Sequence, residues 1–141
     1  MAPPDLDRGV FAPGPDGTAR RPAGTLGPQG RVRATVGEGR FDDVFGAPAF
    51  TVLTRGGAAA EVLDQAGREL LERLDAVVVE IVPADAEPGP GQAADLAGVY
   101  ADYFDRHRAA AVVVRPDYYV FGVVADLAEL PTLLDELRRM L

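Results

Sequence analysis

The sequence predicts a mixed α/β fold, one four-stranded sheet with helices on both of its faces. Three observations predict it. An amphipathic segment joins two strongly apolar runs, a second amphipathic segment follows, and two further apolar runs separated only by Pro116-Asp117 precede a final amphipathic stretch. A strand-helix-strand crossover requires parallel strands and a tight turn requires antiparallel ones, so a single sheet holding both must be mixed.

Residues 1–24 (MAPPDLDRGV and onward) are rich in Pro and Gly and poor in clustered apolar side chains, so they are expected to form a flexible segment ahead of a domain spanning 25–141. Val10, Phe11 and Leu26 are the anchors expected if that segment lies on another surface. Arg31 to Val36 alternates loosely and predicts a short edge strand, and Phe41, Val44 and Phe45 predict a short helix or turn. Phe50 to Thr54 is β-branched and aromatic between Pro48 and the Gly56-Gly57 pair, which marks a buried strand.

Ala58 to Leu74 places Val62, Leu63, Ala66, Leu70 and Leu74 on one helical face. Ala76 to Val82 is nearly all apolar, as a strand covered on both faces must be, and Pro83 ends it. After a Pro-rich loop, Gln92 to His107 repeats Leu96, Val99, Tyr100, Tyr103 and Phe104 at helical spacing and predicts a second helix. Ala111 to Arg115 and Tyr118 to Val124 predict a hairpin, since Pro116 presets φ at the first corner of the turn. Asp126 is placed to cap a last helix, with Pro131 in its first turn and Arg138 and Arg139 in its last.

The totals narrow the function. The chain has 141 residues, enough for one core, with 48% hydrophobic and 26% charged side chains. Its 22 acidic and 14 basic residues leave a net charge of -8, which repels a phosphate backbone, so no nucleic acid is expected as a partner. Met1 to Arg8 has no apolar core for a secretion signal and no run approaches the ~20 apolar residues of a membrane span; no membrane partner is expected, and the chain reads as cytoplasmic. Cys and Ser are both absent, which removes thiol redox chemistry, thiolate metal sites and serine nucleophiles.

Strand, helix, strand, helix, strand, turn, strand, helix is the thioredoxin-like order, although other mixed α/β folds can use the same string. A redox-active protein of that kind carries its Cys pair at the start of the first helix, where the helix dipole lowers a thiol pKa. Thr54-Arg55-Gly56-Gly57-Ala58-Ala59 offers only one threonine there. A dinucleotide site would need a strand, a G-x-G-x-x-G turn and a helix; residues 1–40 contain none, and in Gly89-Pro90-Gly91 the proline removes a donor that phosphate would require.

Individual motifs have plain structural readings. Arg115-Pro116-Asp117 reads as turn chemistry, with Asp117 bonding the following backbone and Arg115 at a strand end. Tyr118, Tyr119 and Phe121 alternate with Val120, so one strand face is expected in the core and the other is free to meet a partner. Asp42 and Asp43 read as helix-capping residues rather than a catalytic carboxylate pair, and His107, the one histidine, reads as a solvated group near a helix C-terminus.

Three blocks then carry a resemblance: Leu26-Gly27-Pro28-Gln29-Gly30-Arg31-Val32; Arg40-Phe41-Asp42-Asp43-Val44-Phe45-Gly46 with Phe50 to Leu53; and Val112 to Gly122, which contains Arg115-Pro116-Asp117-Tyr118-Tyr119 and Phe121. In this order, from about residue 24 onward, the chain resembles the C-terminal domain of the class A flavin monooxygenases that act on phenolic rings, such as 3-(3-hydroxyphenyl)propionate hydroxylase and phenol hydroxylase. The resemblance implies a thioredoxin-like domain without redox cysteines and without catalytic or cofactor residues of its own. FAD and NAD(P)H would then belong to the parent enzyme, and the expected partners are its FAD-binding domain or a second copy of the chain. Arg115, Pro116, Asp117, Tyr118, Tyr119, Phe121, Phe41, Asp42 and Asp43 are the candidate interface or motif residues. Two other expectations stand beside this one: the C-terminal portion of an active FAD/NAD(P)H-dependent phenolic hydroxylase, and a small-molecule binding domain using the loop Pro83 to Gly91 with a pocket lined by Tyr100 and Tyr103.

Overall fold

The structure is a computed structural model and describes residues 23–46 and 48–141. The expectation of a flexible segment, with Val10 and Phe11 in it, therefore lies outside the described residues up to position 22; Ala23 is buried and Gly24 N donates to Val120 O at 3.0 Å.

The strands are β1 (Arg31–Ala34), β2 (Gly37–Arg40), β3 (Thr51–Arg55), β4 (Val77–Pro83), β5 (Gln92–Asp95), β6 (Ala111–Val114) and β7 (Val120–Val124). The helices are α1 (Phe41–Phe45), α2 (Gln65–Arg73), α3 (Val99–His107) and α4 (Leu130–Met140), with 3₁₀ turns at Ala59–Glu61 and Leu127–Glu129. All seven strands form one sheet in the order β2-β1-β5-β4-β3-β6-β7. Thr51 to Arg55 run parallel to Val77 to Ile81, and Glu80 to Pro83 run parallel to Gln92 to Asp95; every other pair is antiparallel. The mixed sheet is as predicted, with seven strands where the sequence predicted four.

Side-chain alternation splits the core into two layers. Leu53, Val79, Ile81, Ala93, Val112 and Val120 face Phe41 of α1 and Tyr100, Tyr103 and Phe104 of α3. Val52, Ala111, Val113, Phe121 and Val124 face Leu70 and Leu71 of α2 and the four leucines Leu130, Leu133, Leu134 and Leu137 of α4. Helices thus cover both faces. Val120 and Phe121 are each 0% exposed, so the expected free face of that strand does not exist: its two sides belong to the two layers.

Other expectations are corrected. Arg31 to Val36 is no edge strand; β1 lies between β2 and β5, and its turn exposes Val36. Gln92 to His107 is not one helix. Its first four residues are β5, because Glu80 N–H and the Gly91 carbonyl start a parallel ladder there (2.9 Å), and the helix starts at Val99 after Gly98 takes a left-handed φ of 74°. Ala58 to Leu74 is also divided. A 3₁₀ turn ends near Val62, and α2 starts afresh where Asp64 accepts a bond from Gly67 N at 2.8 Å, an N-cap that anchors the first turn. Asp126 caps the last 3₁₀ turn through Ala128 N at 2.9 Å, and Pro131 sits at the start of α4. Among the described residues no helix is long and apolar enough to cross a membrane.

Candidate functional site

The three sequence blocks converge on one side of the sheet. Gly27 N donates to Tyr118 O (2.7 Å), Val120 N donates to Thr25 O (2.7 Å) and Leu26 bridges Tyr119, so the first block lies along the third. Gly30 joins the first block to the second. Its carbonyl accepts from Phe41 N at 3.0 Å, and its N–H donates to Tyr100 Oη at 3.2 Å. A Cβ at Gly30 would stand 2.9 Å from Val99 Cβ and 3.1 Å from Tyr100 Cε2, so the backbone approach requires glycine. The Phe41 ring lies 4.7 Å from Phe45 and 6.0 Å from Tyr100.

The third block makes the turn that its sequence predicts. Tyr118 N donates to Arg115 O (2.9 Å) and Arg115 N to Tyr119 O (2.8 Å), with Pro116 at the first corner. Arg115 pairs with Asp117 at 2.6 Å, and Asp117 Oδ1 accepts from Tyr119 N at 3.4 Å. Tyr118 takes φ 72°, the left-handed position that a three-residue hairpin loop requires and that glycine usually fills. Tyr118 and Asp42 line the same small space. Partial burial first, then the Asp42 carboxylate, push the Tyr118 phenol up from its ordinary value.

Asp42 faces the same space as Tyr118 and is not a cap. The residue before α1 is Arg40, and no side chain caps that helix. Asp43 is exposed, while Phe41 (6%) and Phe121 (0%) are core. The space left between the blocks, lined by Pro28, Gln29, Asp42, Tyr100 and Tyr118, is about 20 Å³, room for roughly one water. The convergence is a packed joint whose exposed rim is Leu26 (43%), Tyr118 (37%) and Asp117.

Thr54 Oγ1 donates to Gly57 O at 2.7 Å and is buried. The His107 ring lies 4.4 Å from that of Tyr103, tilted by 52°, and burial, with Arg106 beside it, holds its pKa below the ordinary value. Among the described residues no three His, Cys, Asp or Glu side chains are grouped to hold a metal. Gly89-Pro90-Gly91 leads into strand β5, whereas a pyrophosphate cradle opens into a helix.

The pocket expected between Tyr100 and Tyr103 is not formed. Tyr100 lines the small space above, whereas Tyr103 lines a separate cavity of about 550 Å³ with Leu26, Val99 and His107. A further cleft of about 570 Å³ was not legible in the sequence. It is lined by Arg55, Ile81, Pro83, Asp95, Gly98 and Ala101 among others, and Asp95 is 4% exposed. The one sequence signal was an aspartate just ahead of a helix start, which the helical reading of Gln92 to His107 absorbed.

A family model described as the HcaD C-terminal domain matches residues 24–140. The chain is 32% identical over 114 residues to a probable NADH-specific resorcinol 4-hydroxylase of Rhodococcus jostii (strain RHA1), a match covering 81% of this chain and 21% of that protein. Among solved structures, the flavin-dependent monooxygenase PieE in complex with FAD and substrate aligns over 99% of this chain and 25% of its own, at TM-score 0.66 and 22% identity. Aklavinone-11 hydroxylase in a ternary complex with FAD and aklavinone aligns over 94% and 26%, at TM-score 0.57 and 19% identity. The chain spans about a fifth to a quarter of the length of these proteins.

Proposed function

Because the chain belongs to the HcaD C-terminal domain family, we propose that it serves as the non-catalytic C-terminal domain of a flavin-dependent aromatic-ring monooxygenase, supporting subunit stability or association. The observation that carries this reading is the convergence of all three motif blocks on a packed joint. Backbone hydrogen bonds tie the blocks together, Gly27 to Tyr118 and Phe41 to Gly30, and Arg115 pairs with Asp117 inside the turn. FAD and NAD(P)H chemistry is assigned to the remainder of the parent enzyme, and a cytoplasmic setting is part of the same proposal. The adjacent strands β4-β3-β6-β7, with one parallel pair and one hairpin, support a thioredoxin-like reading of the central sheet.

The name of the Rhodococcus relative favours a second reading, in which these residues are the C-terminal portion of an active NADH-dependent phenolic hydroxylase. One experiment serves both. The chain is purified alone and mixed with the separately expressed FAD-binding part of a relative, and flavin absorbance and mass in solution are recorded. The expected result is a colourless chain that either self-associates or joins the flavoprotein in a stable complex. A lone chain that binds FAD and consumes NAD(P)H would overturn the non-catalytic reading.

A further inference from the structure

We propose that the cleft at the carboxyl ends of β3, β4 and β5 is a binding site for a small molecule with an apolar body and one hydrogen-bond donor, a hydroxyl or an amine, which Asp95 accepts. These three strands are mutually parallel neighbours and end together at Arg55, Pro83 and Asp95. Loops leaving parallel strands at this edge diverge and open a crevice, the usual ligand position in α/β sheets. The cleft there measures about 570 Å³, within the roughly 300–1,000 Å³ of small-molecule pockets.

Its walls set the ligand class. Ile81, Val82, Pro83, Leu96, Gly98 and Ala101 supply apolar surface. Asp95 supplies the polar contact. Its Oδ2 accepts from Ala101 N at 2.8 Å in the first turn of α3, which fixes the carboxylate in one orientation. Its Oδ1 is buried and has no hydrogen-bond partner among the described residues. A buried carboxylate oxygen left unmatched is costly, and a donor arriving in the cleft would satisfy it. Anions are disfavoured: Glu80 also lines the cleft, and Arg55 is already committed to Asp105 at 2.6 Å and to the Phe104 ring at 5.2 Å. The site is independent of the joint formed by the three motif blocks.

The test uses the full chain and three probes that share one ring: cyclohexanol, cyclohexylamine and cyclohexanone. Amide resonances of Gly56, Leu96, Gly98 and Ala101 are followed by two-dimensional NMR during titration. The alcohol or the amine should shift them saturably, and the ketone, which cannot donate, should bind at least about tenfold more weakly. Asp95→Asn is chosen because its amide oxygen can keep the bond from Ala101 N while placing a donor where Oδ1 was. In the variant the preference for the alcohol over the ketone should vanish, since both oxygens can accept from the new amide N–H, and cyclohexylamine, protonated near neutral pH and without an acceptor, should bind most weakly; a purely capping role for Asp95 would produce neither change. Should the variant fail to fold, the selectivity of the unaltered chain decides. No saturable shift with any probe, equal binding of ketone and alcohol by the unaltered chain, or an unchanged preference in a folded variant would overturn the proposal.

Discussion

Gly30 shows how a single residue ties the joint together. It has both backbone groups engaged, one with Tyr100 and one with Phe41, at a point where a methyl group has no room. Gly30→Ala is therefore expected to cost about 1–3 kcal/mol of stability, lowering the thermal midpoint by roughly 3–12 °C in a melt followed by circular dichroism. An unchanged midpoint would mean that Val99 and Tyr100 yield freely. The same residues show what the sequence could disclose about the site. Pro-Gln-Gly, Phe-Asp-Asp and Arg-Pro-Asp-Tyr were visible as separate blocks, and the turn around Pro116 followed from its own chemistry. The approach of Tyr118 to Asp42 was not visible, because it depends on a left-handed tyrosine that no propensity argument would place there. Asp95 was hidden for another reason: a carboxylate at the end of a short strand carries no motif.

At the scale of elements, boundaries were set by hydrogen bonds more than by apolar periodicity. Asp64 is the example, since its cap starts α2 inside a stretch whose hydrophobic spacing reads as one helix. Asp64→Ala should destabilise the fold by about 1 kcal/mol with the urea m-value unchanged. No shift in the urea midpoint would show that the cap is dispensable. Strands β3, β4, β6 and β7 were legible because they are β-branched or nearly continuous in apolar residues, as strands buried under helices must be. Strands β2 and β5 were not, and for physical reasons. Gly37-Glu38-Gly39-Arg40 has no strand-forming side chain, and Gln92-Ala93-Ala94-Asp95 uses small residues where the large rings of α3 pack over the sheet.

At the scale of the whole molecule, two buried tyrosines are expected to couple folding to pH. Tyr100 and Tyr103 are buried, and that burial raises both phenols well above the ordinary value of 10.0; Asp95 and Asp42 add to it at Tyr100, where the Gly30 bond opposes, and Arg106 opposes it at Tyr103. The native state therefore holds two protons that the unfolded chain releases above about pH 10. Their stabilisation is complete below that pH and is lost as pH rises beyond it. Alkaline titration should show tyrosinate absorbance from this pair appearing together with the loss of circular dichroism. Ionisation of all 4 tyrosines in a chain that stays folded would contradict the assignment.

The docking of residues 24–27 along the hairpin has a mechanical side as well. Tension carried by the polypeptide ahead of Ala23 is delivered first to the bonds at Val120 and Tyr118. From β7 it passes through β6 into β3, in the interior of the sheet. A pull at one margin of the molecule is thus shared with the strands that hold both core layers together.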